Sequence, residues 1–557
     1  MDFSEVLDRA ERWIVDDPEA DTRNELSRLV NKARQGGPQS AAGIDLARRF
    51  SGPLAFGTAG LRGPVAAGES CMNRAVVIRA TAGLMGWLNA QVDRPRVVVG
   101  CDARHGSAAF YKDVCEVVSA AGGVALALPP AHPTPLTAFS VRELDADAGV
   151  MITASHNPGG DNGYKVYTGG RVSPGDGRGV QIVPPADAGI AEAIAAAPAA
   201  KDVPRNRDGV EEVDTREAYR SCAAALGRPG AIRVVLTPMH GVGGETACAT
   251  LREAGFDDVV LVSAQADPDP DFPTVSFPNP EEKGALDLAK EEADRVGADL
   301  IIALDPDADR CAVCVPHEQG WRQLSGDETG LIVGEYLATR AARDGRGGAV
   351  ATSIVSSRAL AKVAAAHGLD FAHTLTGFKW IARTPELIFG YEEAIGYCPD
   401  PAHVADKDGI ATAVVVASLA AELKADGRGL LDALDDIAVR DGAYRTRPVT
   451  FRVDDLAFIS QAMAALRSNP PSSLGGSPVE ATHDLARGYD GLPPTDGMMF
   501  FTEDDSRVVI RPSGTEPKLK CYLEAHVPAE SGTVDWAEAD RRLDTLETDV
   551  RRVIVGD

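Results

Sequence analysis

The feature that most constrains this chain is a unit that occurs three times. Arg96–Leu128 (RVVVGCDARHGSAAFYKDVCEVVSAAGGVALAL), Ile232–Val262 (IRVVLTPMHGVGGETACATLREAGFDDVVLV) and Gly348–Leu375 (GAVATSIVSSRALAKVAAAHGLDFAHTL) share one plan. Each has a short apolar run, a Gly- or Ser-containing loop, a helical stretch ending in small residues and Gly, and a second apolar run. Apolar runs without alternation suit strands buried on both faces, and the helix between them suits a right-handed parallel crossover. The pattern predicts an α/β protein with three similar domains built on mixed, largely parallel sheets. A chain of 557 residues is too long for a single core. After about Asp441 the runs shorten and break at Pro, Gly and Ser (SNPPSSLGGSP), which predicts a fourth, α+β domain. The first fifty residues read as a helical extension. The expected division is therefore residues 1–50, 51–205, 206–325, 326–440 and 441–557. AAAPAAKDVPRNRDG, ending at Gly209, reads as one linker, and HEQGWRQLSGDETG precedes the third unit.

Charge limits the partners. A formal net charge of −26 repels nucleic acid and anionic membrane, so neither is expected as a partner. An anionic substrate would need cations gathered locally. Only 12 lysines are present, and five of them (Lys165, Lys379, Lys407, Lys518, Lys520) fall in or beside Gly-rich or polar motifs. The start, MDFSEVLDRAERWIVDDPEADT, is acidic and helix-patterned, unlike a signal peptide. The longest apolar run, Gly409 to Leu423, falls short of the ~18 residues a span requires. Nine scattered cysteines point to a reduced, cytoplasmic setting. Cys311 and Cys314 read as buried strand residues, since a strand sends them to opposite faces and no second pair could complete a zinc site.

Several segments carry chemistry. In AGVMITASHNPGGDNGYKVY, Ser155 follows a buried-type strand and precedes an Asn-Pro turn. A serine there either meets a ligand at the carboxyl edge of a sheet or simply closes a turn through its hydroxyl. GxSxG is absent, and His156, adjacent in sequence, is not expected to face the Ser155 hydroxyl as a base. In ADLIIALDPDADRCAV an apolar strand runs into Asp305, Asp307 and Asp309, with Arg310 next. Carboxylates at i, i+2 and i+4 can converge on one hard cation. An EF-hand is excluded because its glycine position holds Arg310 and its final glutamate position holds Pro316. In SRVVIRPSGTEPKLKCYLEA a strand delivers Arg511, the chain turns at Ser513, Gly514 and Thr515, and Lys518 and Lys520 follow. Arginine, hydroxyls and free backbone N–H groups are what a phosphate dianion requires. FGTAGLRGPVAAG places Arg62 in a Gly-rich loop, TLTGFKW contains Gly377 and Lys379, and GYEEAIGY presents Glu392 and Glu393 between Gly-flanked turns. Those glutamates could accept hydrogen bonds from sugar hydroxyls or lie in a solvated loop. HGVGGET lacks the third glycine of a dinucleotide fingerprint, and no GxxxxGK[ST] occurs.

TASHNPGGDNGYK, DPDADR, EEAIG and RPSGTEPK stand in the order and spacing of the α-D-phosphohexomutase superfamily. With FGTAGLRG and TLTGFKW, the chain most resembles its glucose/pentose phosphomutase branch, from about Gly52 to the C-terminal region. The resemblance implies four domains around one cleft. It implies a phosphoprotein that interconverts the 1-phosphate and the 6- or 5-phosphate of a sugar through a sugar bisphosphate. Residue by residue, it makes Ser155 the phosphoserine and Asp305, Asp307 and Asp309 ligands of Mg2+ together with that serine. Arg62 and Arg310 would lie near phosphoserine and sugar, and Lys165 would be the general acid/base, with His156 or His403 as substitutes. Glu392 would bind sugar hydroxyls, and Arg511, Ser513, Gly514 and Thr515 the phosphate that stays put. Lys165 would act as a base if burial among cations lowers its pKa. A sugar 1,6-bisphosphate is the expected activator, a phosphosugar the expected partner, and a monomer or dimer the expected state. Many hexose-specific members carry serine where this chain has Ala394, which removes one hydroxyl contact to the sugar. The activity expected is that of a phosphoglucomutase/phosphomannomutase, with a phosphopentomutase or a metal-dependent sugar phosphatase as alternatives.

Overall fold

The computed structural model describes residues 2–54, 60–453, 456–513 and 518–555. The chain forms two compact units, one of residues 1–323 and 396–421 and the other of residues 324–395 and 422–557.

The first unit begins with helices Phe3–Asp16, Ala20–Gly36 and Ala41–Arg49, as the helical pattern predicted. They close over their own apolar cluster of Val6, Ala10, Leu26, Val30, Leu46 and Phe50. Its first sheet is built from β1 (Leu61–Pro64), β2 (Arg96–Cys101), β3 (Val124–Ala127), β4 (Ala148–Ile152), β5 (Asp161–Thr168), β6 (Val180–Gln181) and β7 (Val210–Glu212). The order is β1-β5-β4-β2-β3-β7, with β6 on β5. β2 pairs in parallel with β3 and β4, while β5 runs antiparallel to β4 and β1. The second sheet contains β8 (Val234–Thr237), β9 (Val259–Leu261), β10 (Leu300–Leu304), β11 (Cys311–His317) and β12 (Gly320–Gln323). Its order is β12-β11-β10-β8-β9, parallel at β10–β8–β9 and antiparallel at β10–β11–β12.

Of the two stretches read as linkers, HEQGWRQLSGDETG contains a strand and AAAPAAKDVPRNRDG ends directly before one. β7 extends the first sheet beyond Arg205, and Gly320–Gln323 folds back as a hairpin partner of β11. Their polar composition hid this, because an edge strand needs an apolar face on one side only. Cys311 and Cys314 lie buried and unpaired by disulfide on β11.

The central strands β4 and β10 are buried along their whole length. They carry no alternation because helices cover both faces of a parallel sheet. Both end where the polar motifs begin, so the fold delivers Ser155 and Asp305 from the carboxyl ends of buried strands.

The second unit holds β13 (Ala349–Ser353), β14 (Asp370–Thr374) and β15 (Leu387–Glu392), with β13 parallel to both neighbours. Helix Gly326–Arg343 starts at a capping box, in which Ser325 accepts from the Glu328 N–H and Glu328 accepts from the Ser325 N–H. β16 (Gly396–Cys398) and most of helix Gly409–Ala425 belong to the first unit; in the second, helix Leu430–Asp441 leads into the C-terminal sheet. Its strands are β17 (Ala443–Arg452), β18 (Ser473–Leu474), β19 (Ser477–Asp484), β20 (Met498–Thr502), β21 (Arg507–Pro512) and β22 (Lys518–Val527). They run antiparallel in the order β17-β22-β21-β20-β19-β18, and helix Trp536–Val555 follows. The three α/β sheets and the α+β region are those expected from the sequence. No helix is long and apolar enough to cross a membrane among the described residues.

One buried acid makes a prediction about stability. Asp408 precedes helix Gly409–Ala425 and accepts from the N–H groups of Ile410 (3.1 Å) and Ala411 (2.9 Å) and from the Tyr219 hydroxyl (2.9 Å). Burial pushes its carboxyl from 3.8 up to about 7. An acid whose pKa is higher folded than unfolded binds more protons in the fold, so its contribution falls as pH rises between those two values. Asp408→Asn keeps an acceptor and removes the charge. It should raise stability at pH 8 by on the order of 1–3 kcal/mol, with a smaller gain at pH 5. Denaturant melts at the two pH values check this.

Candidate active site

In the first unit the chain turns sharply after β4. Ser155 sits at φ 53°, in the left-handed region that L-residues rarely adopt, and is 2% exposed. Such a conformation costs about 1–3 kcal/mol and persists only where neighbours fix it. The Ser155 N–H donates to Thr153 Oγ1 at 2.9 Å, and the Ser155 hydroxyl donates to Asp305 Oδ2 at 2.8 Å. Of the two roles open to this serine, its hydroxyl thus faces the acidic cluster. His156 Nδ1 lies 3.2 Å from Ser155 Oγ, contrary to the expectation that sequence adjacency would turn it away. The positive φ at Ser155 rotates the following residue back onto the serine's own side. Gly163 lets β5 pass close beneath, where a Cβ would lie 2.5 Å from the Thr153 carbonyl oxygen.

β10 delivers the acids. Asp305, Asp307 and Asp309 are fully buried, with a ligand atom of each within 4.8 Å of the others. Ala308, at φ 56°, reverses the chain between the second and third. Lys165, on β5, donates to Asp307 Oδ2 and Asp309 Oδ2, both at 2.8 Å. Lys407 Nζ lies 3.2 Å from Asp309, and the Thr134 hydroxyl donates to Asp307 Oδ2 at 2.6 Å. The Arg310 N–H donates to Asp305 Oδ1 at 3.0 Å, while its side chain lies 3.7 Å from Asp309. Arg62, on β1, donates to Asn157 Oδ1 at 3.0 Å in the serine turn.

Burial and the neighbouring Asp307 and Asp309 push the Asp305 carboxyl well above its ordinary value. Burial also works to raise Asp309, but Lys165, Lys407 and Arg310 outweigh it and hold that carboxyl well below. Burial alone would lower Lys165, yet Asp307 and Asp309 more than offset it, so its pKa is raised. This reverses the condition set for a basic Lys165, because its neighbours are chiefly anions. Burial, with Arg310 and Arg62 nearby, holds the His156 imidazole well below its ordinary value.

The donor set fits a hard divalent cation. Asp307 Oδ1 and Asp309 Oδ1 are buried without a hydrogen-bond partner among the described residues, and clustered carboxylate oxygens are what such a cation binds. Mn2+ should therefore bind the protein. Asp307→Asn, which removes one ligand charge, should weaken binding about tenfold or more, as read by calorimetry or by the electron-spin signal of free Mn2+.

The remaining candidates lie in the second unit. Glu393 turns inward, accepting from Ser353 (3.0 Å) and Ser356 (2.9 Å). Glu392 ends β15 and is partly exposed. Gly377 has φ 109°, and Lys379 follows on the short helix Phe378–Ile381, 5.9 Å from the Trp380 ring centroid. The Arg511 guanidinium hydrogen-bonds Thr376, which brings the end of β21 to the TLTGFKW loop. The Ser513 N–H donates to the Lys518 carbonyl at 2.8 Å. Gly514 and Thr515 lie outside the described residues. Thr134 carries no motif and is invisible in the sequence, Asn157 shows there only as part of the Asn-Pro turn, and Lys407 only as one lysine in a polar stretch.

Four family models describing phosphoglucomutase/phosphomannomutase match in order. They are the α/β/α domains I (residues 53–200), II (216–320) and III (325–437) and the C-terminal domain (449–539). The chain is 43% identical over 492 residues to a protein named probable phosphomannomutase from Haemophilus influenzae, covering 87% of this chain and 98% of that one. It is 34% identical to a mouse phosphopentomutase, covering 90% of this chain and 88% of the relative. A phosphoglucomutase/phosphomannomutase family protein of Burkholderia thailandensis shares the fold, with a TM-score of 0.68 at 18% identity, covering 90% of this chain and 97% of that one. The chain belongs to the phosphoglucomutase/phosphomannomutase family and is a sugar-phosphate mutase, an isomerase that moves a phosphoryl group within its substrate.

Proposed function

We propose that this mutase carries the phosphoryl group on Ser155 and interconverts hexose 1- and 6-phosphates. The observation that carries the proposal is the Ser155 hydroxyl, buried in a left-handed turn and 2.8 Å from Asp305 of the aspartate cluster. In the forward half-reaction the bond from Ser155 Oγ to phosphorus breaks as one forms from a sugar hydroxyl oxygen. The hydroxyl loses its proton and Oγ gains one, giving a sugar bisphosphate. The bisphosphate then returns its other phosphate to Ser155 by the reverse exchange.

Phosphoryl transfer asks mainly for position and for cations around a spreading negative charge. Arg62 and Arg310 would serve the second task. Lys165, bound to Asp307 and Asp309, and His156, beside the serine, would carry protons. Asp305, Asp307 and Asp309 would hold Mg2+, which when bound offsets the charge of the serine phosphate. Arg511, Ser513, Gly514, Thr515 and Lys518 would anchor the phosphate that does not move, and Gly377, Lys379, Glu392 and Glu393 the sugar. A sugar 1,6-bisphosphate would recharge Ser155. The proposed setting is the cytoplasm.

With phosphate held at both ends, binding depends less on each hydroxyl. The contact absent at Ala394 relaxes discrimination by about one hydrogen bond, about 0.5–1.5 kcal/mol. Glucose and mannose phosphates are therefore the proposed substrates. Pentose phosphates form the second reading, supported by the relative named phosphopentomutase.

Ser155→Ala should keep the fold and lose nearly all turnover, and phosphate should appear on the peptide that holds Ser155. An active alanine variant, or phosphate found only elsewhere by mass spectrometry, contradicts the assignment. Arg511→Ala should weaken all accepted sugar phosphates alike, by about 10–100-fold. A variant that spares one sugar and loses another would show the loop reading sugar instead of phosphate.

A further inference from the structure

The mechanism leaves Arg104 unused, yet the serine turn is built on it. Arg104 follows β2 and is 4% exposed. Its Nη2 donates to the carbonyls of Ser155 and Asn157, both at 2.6 Å. Its Nη1 donates to the carbonyls of Pro158 (2.8 Å) and Asp161 (3.2 Å). Four carbonyl dipoles of one turn thus point at one guanidinium. Without a cation they would repel one another, and lysine's three donors cannot reproduce the planar fork that meets them.

The guanidinium is itself fixed. Asp102 accepts from the Arg104 N–H (3.0 Å) and the Ser107 hydroxyl (2.6 Å), and its other oxygen lies 3.5 Å from Arg104 Nε. The Phe272 ring centroid lies 5.0 Å from Arg104 Cζ. Asn157, whose carbonyl Arg104 holds, is also the residue that Arg62 grips by its side chain.

We propose that Arg104 is a positioning residue for phosphoryl transfer. By gathering the carbonyls of Ser155, Asn157, Pro158 and Asp161, it holds Ser155 in its left-handed turn with the hydroxyl toward Asp305. This rests on Ser155 being the carrier. It predicts a fault in the chemical step, since Arg104 is buried and its guanidinium meets backbone carbonyls.

The test measures kcat, KM and hydrogen exchange of the 153–163 segment in Arg104→Gln, Arg104→Ala and Arg104→Lys. Arg104→Gln should lower kcat about 100-fold, as a misplaced nucleophile does, with KM changed by less than about threefold. Arg104→Lys should lower kcat about tenfold. Exchange in the segment should quicken in all three, and added guanidinium should restore part of the kcat of Arg104→Ala. Parent-like kcat in folded Arg104→Gln overturns the proposal. So does lost activity with a lower Tm, unaltered exchange in the segment and no rescue. If Gln and Ala fail to fold, Arg104→Lys decides, and unchanged kcat and exchange in it overturn the proposal. Exchange reads the clamp independently of chemistry. Faster exchange beside a still-active Ser155→Ala would sink the carrier assignment, whereas slow turnover with unaltered exchange would sink the clamp.

Discussion

Three carboxylates packed within 4.8 Å of one another and sealed from water are the constraint around which the first unit is arranged. Their mutual repulsion, added to the cost of burial, has to be met by cations or by protons. Lys165 comes to them from β5, Lys407 from the segment before helix Gly409–Ala425, and Arg310 from the same turn as the acids. The strain that is left falls on Asp305, the member driven upward in pKa and the one that accepts the Ser155 hydroxyl. A divalent cation among these oxygens would relieve the same repulsion. The chemistry proposed for the site and the electrostatics of the fold are one problem.

The serine turn answers a second constraint. A hydroxyl that must face the acids has to leave β4 in a conformation that L-residues avoid, and carbonyls turned inward by that conformation need donors. Arg104 supplies them from the end of β2, which lies beside β4 in parallel. Two neighbouring strands of one sheet therefore provide the serine and its support.

Much of this was legible in the sequence. The three repeated stretches became β2 with β3, β8 with β9 and β13 with β14, each pair parallel, because unalternating apolar runs leave few other solutions. Ser155 and the aspartates announced themselves as polar residues directly after buried strands. What was hidden depends on contacts distant in sequence. Thr134 meets Asp307 across 173 positions, and no local pattern marks it. His156 was misjudged because its orientation follows from one φ angle. The pKa of Lys165 was misjudged because the identity of its neighbours, anions and not cations, is a fact of packing. β12 lies inside a stretch with a linker's composition, because a short edge strand resembles a loop in its residues.

Passage of the phosphoryl group through Ser155 is the step on which the proposed function stands. It is tested most directly by a pulse and chase. Protein is charged with a sugar 1,6-bisphosphate labelled in its phosphates, freed of excess label and digested, and a parallel sample is mixed with unlabelled sugar monophosphate for single turnovers. Label should appear on the Ser155 peptide alone and leave it for the sugar at least as fast as kcat. Label that never reaches Ser155, or that stays there while the sugar turns over, would contradict it.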